Sequence, residues 1–207
     1  MSDPTLLIIP NTRICFPHLF EKYKAPKAEG EPAYSATFLL DPDNSEHLAI
    51  MQEGGAFAKA VEWLVANDPK LRGQKPGKDN LALKDGNKVN ETAEGKGKEP
   101  TEEFKDMYII RSANKQDQPI VVNEENVKLT AFEKNKVYGG CYVNAMIRLY
   151  GWEHEQSGLG VSASLEGVMF VRDGEPFGNR MSENEKLAGF AGLAAGTGPG
   201  ASKDIPF

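Results

Sequence analysis

The chain has 207 residues, 40% of them apolar, and a formal net charge of −6 at pH 7. That content fills one hydrophobic core and leaves little for a second domain, and no run reaches the roughly 18 apolar residues that a membrane-spanning helix requires. Met1-Ser2-Asp3-Pro4 has neither the basic nor the apolar region of a secretory signal, so a cytoplasmic location is expected. Cys15 and Cys141 match no metal-ligand spacing and are expected as free, buried thiols.

The charge is uneven. From Arg13 to Lys27, four basic residues (Arg13, Lys22, Lys24, Lys27) face only Glu21, and from Lys70 to Lys98 eight basic residues face four acidic ones. A polyanion responds to charge within a Debye length of about 8–10 Å, so local patches outweigh the acidic total. The alternative for these lysines is an ordinary solvated loop.

In chain order, Leu6–Ile9 is a short apolar run ended by Pro10, and Thr12–Phe20 is strand-like, with Pro17 confining its middle to an edge or a bulge. Ala33–Leu40 alternates cleanly, placing Tyr34, Ala36, Phe38 and Leu40 on one face. Asp41-Pro42-Asp43-Asn44 supplies cap chemistry for a helix over Ser45–Ala66, in which Ile50, Phe57, Val61 and Leu64 share a face and Gly54-Gly55 weakens the middle. Residues 67–105 read as a long polar insertion broken by glycines, with at most a short strand near Leu81–Leu83. Strands follow at Met107–Arg111, Pro119–Val122, Cys141–Trp152 and Gly158–Arg172, and Asp173-Gly174 turns the chain away.

Cys141–Trp152 is the most informative strand. Cys141, Val143, Ala145, Ile147 and Leu149 form a core face, while Tyr142, Asn144, Met146, Arg148, Tyr150 and Trp152 form the other. Aromatic rings spaced about 7 Å apart and interleaved with a guanidinium match what a single-stranded nucleic acid offers, namely base faces beside phosphates. The competing reading is a second packing layer over the same rings. In the last strand Val161, Ala163 and Leu165 point inward and Ser162, Ser164 and Glu166 outward, with Glu166 a candidate charge partner for Arg148 or Arg172. Arg13, Phe16, Lys22, Tyr23, Lys24, Tyr108 and Arg111 are further candidates for the same path.

About five strands, one helix and a large insertion, without regular βα alternation, indicate a mainly β, five-stranded barrel of the oligonucleotide/oligosaccharide-binding (OB) type. Three stretches carry a resemblance beyond this: Arg13-Ile14-Cys15-Phe16-Pro17-His18-Leu19-Phe20-Glu21, Tyr34–Leu40, and Gly140–Ala145 with Gly160–Ser162 through Phe170–Glu175. Over about residues 5–175 the chain resembles the single-stranded DNA-binding proteins of tailed phages. The resemblance implies an OB core, sequence-independent binding of single strands in replication, recombination and repair, no cofactor, and a tail that docks replication proteins. Residues 1–180 are then the DNA-binding domain and 181–207 a flexible tail. Its end, Asp204-Ile205-Pro206-Phe207, resembles the terminus of bacterial single-stranded DNA-binding proteins, and the Gly/Ala/Pro-rich run before it is expected to be mobile. The expected partners are single-stranded DNA, a polymerase, primase, helicase or nuclease at the tail, and further copies of the chain along DNA.

Catalytic readings find no support. His18, His47 and His154 lack metal-spaced partners, His154-Glu155 is not followed by a second histidine, and no nucleophile elbow or phosphate-binding loop occurs. The second functional reading is a recombination mediator or annealing factor that contacts DNA only transiently.

Overall fold

The structure is a computed structural model that describes residues 3–26 and 30–178. Its strands are β1 (Leu6–Tyr23), β2 (Ala33–Leu40), β3 (Leu83–Asp85), β4 (Tyr108–Asn114), β5 (Ile120–Val122), β6 (Tyr142–His154) and β7 (Gly158–Arg172); its helices are α1 (Ser45–Met51), α2 (Ala56–Asn67) and α3 (Gly86–Glu94). Five strands close in the order β1-β2-β4-β7-β6 and back to β1, with β3 added beside β4 and β5 beside β7. All barrel pairings are antiparallel except β4–β7. This is the OB topology, a Greek-key barrel whose first strand serves both halves.

A single 18-residue β1 takes in both the Leu6–Ile9 apolar run and the strand-like Thr12–Phe20 stretch, passing through both prolines. Its register shifts between Ile9 and Thr12 against β6 and between Cys15 and His18 against β2, so Pro10 and Pro17 each fall at an irregularity, where no ladder donor is missed. The two bends let the first half of β1 pair with β6 and the second half with β2. Asn11 (φ 45°) and Phe16 (φ 51°) take the left-handed conformation at these points, and the Asn11 N–H donates to Asn144 Oδ1 at 2.8 Å.

The expected helix is two helices. Gly54 has φ 69°, and a Cβ at Gly55 would lie 2.6 Å from the Ala49 carbonyl oxygen, so the chain turns here through space only glycine leaves. Asn44 caps α1, its Oδ1 accepting from the Glu46 and His47 amides. His47 is buried: its Nδ1 accepts from the Asp41 N–H at 3.0 Å, so Nε2 carries the proton it donates to the Pro10 carbonyl at 2.9 Å, tying α1 to the first bend of β1. Ile50, Phe57, Ala60 and Leu64 are buried against the barrel, Val61 is partly buried, and Trp63 is exposed.

The insertion is more ordered than its polarity suggests. After a single 3-10 turn at Lys78–Asn80 it forms β3, which pairs with β4, and then α3, capped by Asp85. Sequence reading missed α3 because it carries one large apolar residue, Val89, and rests on its cap and its docking instead. Phe104 is buried with Cys15, Leu39 and Ile109 on the outer face of β1, β2 and β4, with Val89 and Phe177 packed alongside. The insertion therefore covers one flank of the barrel, and β2 is buried at Thr37 and Leu39 as well as on its core face.

Inside, the predicted inward rows of β6 (Cys141, Val143, Ala145, Ile147, Leu149) and β7 (Val161, Ala163, Leu165) are all buried. β4 and β7 meet through one parallel bridge, Ser112 to Ala163. Beside it, two asparagine side chains serve β7 carbonyls in place of a strand: Asn80 Nδ2 donates to Leu159 O at 3.0 Å, and Asn114 Nδ2 to Leu165 O at 3.5 Å. The Ser112 hydroxyl at this seam is buried without a protein partner.

Both cysteines are free and buried. Burial pushes the Cys15 thiol up to about 12, with Glu103 adding to the effect, and the Cys141 thiol up to about 11. A folded-state pKa above the unfolded value favours the native state at low pH, and that contribution fades as pH rises from about 9 towards 11–12. A thiol reagent at pH 8 should therefore leave the native protein unlabelled and modify both cysteines once it is denatured; rapid labelling of the native protein would contradict this burial.

Candidate nucleic-acid interface

Two adjoining cavities, of about 350 and 260 Å³, share Arg111 and Ser162 and form one trough across β2, β4, β7 and β6. Alternation sets its floor, because the outward residues here are small: Ser35 and Thr37 on β2, Ala113 on β4, Ser162 on β7. Larger groups rise around them. Phe16 stands at the second bend of β1, Tyr150 and Trp152 on β6, and Lys84 on β3, at the end where Asp79–Ala82 of the insertion forms the wall.

Two of the three rings are held from behind. The Trp152 indole rests over Gly160, where a Cβ would lie 1.9 Å from the ring. Phe16 meets Phe104 edge-to-face at 6.4 Å between centroids, and its positive φ is unusual for a bulky residue, the kind of local strain that concentrates at binding sites. The Arg111 guanidinium lies 5.6 Å from the centroid of the same Phe104 ring. Burial lowers the Arg111 pKa, but a guanidinium stays charged at neutral pH, and among the described residues it pairs with no carboxylate. Three exposed or half-buried rings and two cations without an ion pair among the described residues, Arg111 and Lys84, thus line a trough floored by small side chains. Such a surface stacks planar groups and holds an anion between them.

The other sequence-derived candidates lie elsewhere. Arg148 shares the outer face of β6 but forms ion pairs with Asp3 and, at 3.6 Å, with Glu166, the partner its sequence context suggested. Two hydrogen bonds from Thr5 hold the Asp3 carboxyl below the usual carboxylate range, and Arg148 adds to this. With its charge already answered, Arg148 has little left for a phosphate. Arg148→Met should change single-strand affinity by less than about threefold, whereas Arg111→Met should cost about 1.5–3 kcal/mol, the worth of a charged hydrogen bond, in the same titration.

Tyr142 lies eight residues from Tyr150, roughly 27 Å along the strand, so the two rings share a face but not a cavity. Arg172 stacks on the Tyr142 ring at 3.3 Å, and Arg13 lies 4.0 Å from the Phe177 centroid. Arg13 donates through Nε to Gly140 O at 3.1 Å and through a terminal nitrogen to Glu175 O, fastening the segment after β7. Lys22, Tyr23 and Lys24 form a third group, at the end of β1: Lys22 donates to the Lys115 carbonyl and lies 5.6 Å from the Tyr34 centroid, Tyr23 stacks on His18 at 4.2 Å, and Lys24 is exposed. Tyr108 shares the Ile110 face of β4, opposite to that of Arg111, and does not line the trough. Asp204, Ile205, Pro206 and Phe207 lie outside the described residues. Sequence reading missed Lys84 and Phe104; the lysine-rich insertion was the only signal for either.

Among the described residues no helix is long and apolar enough to cross a membrane, and no group of three or more His, Cys, Asp or Glu residues is placed to hold a metal ion.

A closed OB barrel with a ring-lined, arginine-bearing trough belongs to the class of single-strand nucleic-acid-binding barrels. The family described as Enterobacter phage Enc34, ssDNA-binding protein, matches residues 5–193, and the chain belongs to that family. It is 31% identical over 168 residues to protein p50 of Acyrthosiphon pisum secondary endosymbiont phage 1, covering 81% of this chain and 83% of that protein. It is similar to the single-stranded DNA-binding protein of bacteriophage Enc34 in complex with ssDNA, at 28% identity and a TM-score of 0.69 over 84% of this chain and 90% of that one. A second structure of the Enc34 protein matches at 27% identity and a TM-score of 0.66, over 89% and 90% of the two chains. The family and the Enc34 structures are described as single-stranded DNA-binding proteins, in keeping with the non-catalytic reading of the sequence.

Proposed function

We propose that the chain binds single-stranded DNA irrespective of sequence and shields it in the host cytoplasm during phage DNA replication, recombination and repair. The observation that carries this reading is the joining of Phe16, Tyr150 and Trp152 with the unpaired Arg111 in one trough. Stacking accepts any base, because every base has a π-face. The family and the Enc34 complex with ssDNA support the ligand class.

Titration with homopolymeric oligonucleotides of graded length tests the reading. Base stacking on Trp152 should quench tryptophan emission, and Trp152→Phe should remove most of that change because Trp63 stands outside the trough. Arg111 and Lys84 are the trough's cations, so the log–log salt slope should be shallow, near −1.4 at about −0.7 per phosphate contact. Equal quenching in Trp152→Phe, or no binding to any homopolymer, would overturn the assignment of the trough. A steep slope would bring the Lys22–Lys24 group and the lysines of the insertion into the contact.

Partner recruitment through Asp204-Ile205-Pro206-Phe207 is part of the same proposal. An aromatic ring, a rigid proline and an anion on neighbouring residues suit a cleft with one apolar pocket and one cation, as a polymerase, primase, helicase or nuclease of replication and repair could offer. Deleting Phe207 should abolish capture of that partner from host lysate and leave DNA binding intact or slightly stronger. Residues 173–207 carry five acidic and three basic side chains, so any gain in DNA affinity should be modest. Identical partner profiles for the two proteins would remove the docking role.

A further inference from the structure

Away from the trough, three large apolar side chains stand in a row on the outer surface of the barrel. Ile8 of β1 pairs with Met146 of β6, Met146 with Gly167 of β7, and Gly167 with Ile120 of β5. Ile8 is 50% exposed, Met146 40% and Ile120 60%. Gly167 leaves a shallow hollow among them: a Cβ there would lie 3.2 Å from the Ile120 carbonyl oxygen, 3.8 Å from the Met146 Cβ and 4.0 Å from the Ile120 Cβ. None of the four residues lines the trough.

The chain also carries a matching projection. Phe132 is 99% exposed, on a 3-10 segment (Ala131–Lys136) between β5 and β6. Glu133 Oε2 accepts from the Thr130 N–H at 3.1 Å and from its hydroxyl at 3.0 Å, fixing the start of that segment, and the ion pairs Lys134–Glu21 (3.1 Å) and Lys136–Glu124 (2.8 Å) hold its end to β1 and to the turn after β5. The ring is therefore presented on a braced support, at little further ordering cost when it meets a surface.

We infer that Phe132 of one copy seats in the Gly167 hollow of the next copy bound to the same DNA strand, an inference that rests on the DNA-binding reading above. A single strand has a direction, and a trough that engages its backbone takes it one way, so neighbouring copies share one orientation. Contact between them is then heterologous: the two surfaces differ, and each copy must carry both. One ring against three side chains falls far below the roughly 1,200–2,000 Å² of a stable interface, so free copies stay apart. Tethering on a shared strand raises the local concentration to about the millimolar range, where so small a contact counts.

The test uses the full chain and two DNA lengths, an oligonucleotide that seats one copy and a long homopolymer. Phe132→Ser and Met146→Glu should bind the short strand within about twofold of wild type. On the long strand each should lose cooperativity, the neighbour factor falling roughly tenfold or more with the loss of one buried ring. An equimolar mixture should recover part of it, because the Phe132 of Met146→Glu still meets the intact hollow of Phe132→Ser. Ile120→Lys, at the other rim of the hollow, provides a second variant should Met146→Glu fold poorly. Undiminished cooperativity in Phe132→Ser, or a wild type that fills the long strand without cooperativity, would overturn the inference. So would a dimer stable without DNA, or a loss of short-strand affinity in Phe132→Ser, which would place the ring on DNA. Failure of wild type to bind the short strand would instead defeat the DNA-binding reading itself.

Discussion

Tyr150→Ala should weaken binding of a short single strand by about 1–3 kcal/mol, roughly five- to 150-fold, with the fold intact. Tyr150 is the most accessible ring on the β6 side of the trough, and its neighbours across the floor are the small side chains of Ser162 and Ala113, so a base there stacks on Tyr150 first. Truncating it opens no core cavity, because the side chain points away from Leu149 and Ile147, and thermal stability should stay close to wild type. Fluorescence anisotropy with a labelled oligonucleotide reads the affinity, and circular dichroism the fold. Unchanged affinity in a folded Tyr150→Ala protein would mean that this face of β6 serves some other contact.

Phe104→Ala should act on stability and binding together. The ring is fully buried among Cys15, Leu39 and Ile109, and deleting a buried phenylalanine costs about 3–5 kcal/mol. It also backs Phe16 at the trough edge and lies beneath Arg111, so both lose their support. Chemical denaturation should show the stability loss, and DNA affinity should fall even where the variant remains folded. Phe104→Leu keeps most of the volume without the ring and should recover much of the stability but less of the binding. Full affinity in a folded Phe104→Ala protein would mean that Phe16 and Arg111 hold their places without the insertion.

What the sequence made legible follows from the range of each interaction. The inward row from Cys141 to Leu149 could be read because strict alternation is local, and the structure buries every member. Pro10 and Pro17 were legible as disturbances, but whether they end a strand or bend it depends on partners far along the chain, here β6 and β2. Gly54-Gly55 signalled weakness, while the complete break of the helix came from carbonyl groups crowding Gly55. Arg148 and Arg111 look alike in sequence. One meets Asp3 from the opposite end of the described chain, and the other meets only the edge of an aromatic cluster, a distinction set by barrel closure. Tyr142 and Tyr150 share a strand face, yet the ring that shares the Tyr150 cavity is Phe16, on another strand altogether. Phe104 gave no periodic signal because it stands in a polar stretch and meets its partners only when the insertion docks.

The seam between β4 and β7 gives the trough a mechanical side. One bridge and the Asn114 side chain hold these strands together, while Asn80 of the insertion braces β7 beside them, so the barrel's thinnest closure runs along the floor of the proposed binding surface. A strand lying across it would touch Arg111 on one bank and Tyr150 and Trp152 on the other, spanning the gap like a suture. Occupancy should then slow amide hydrogen exchange most around Ser112 and Ala163, beneath the ligand, while the β1–β6 ladder on another side of the barrel changes little. In this barrel the cargo completes the wall that carries it.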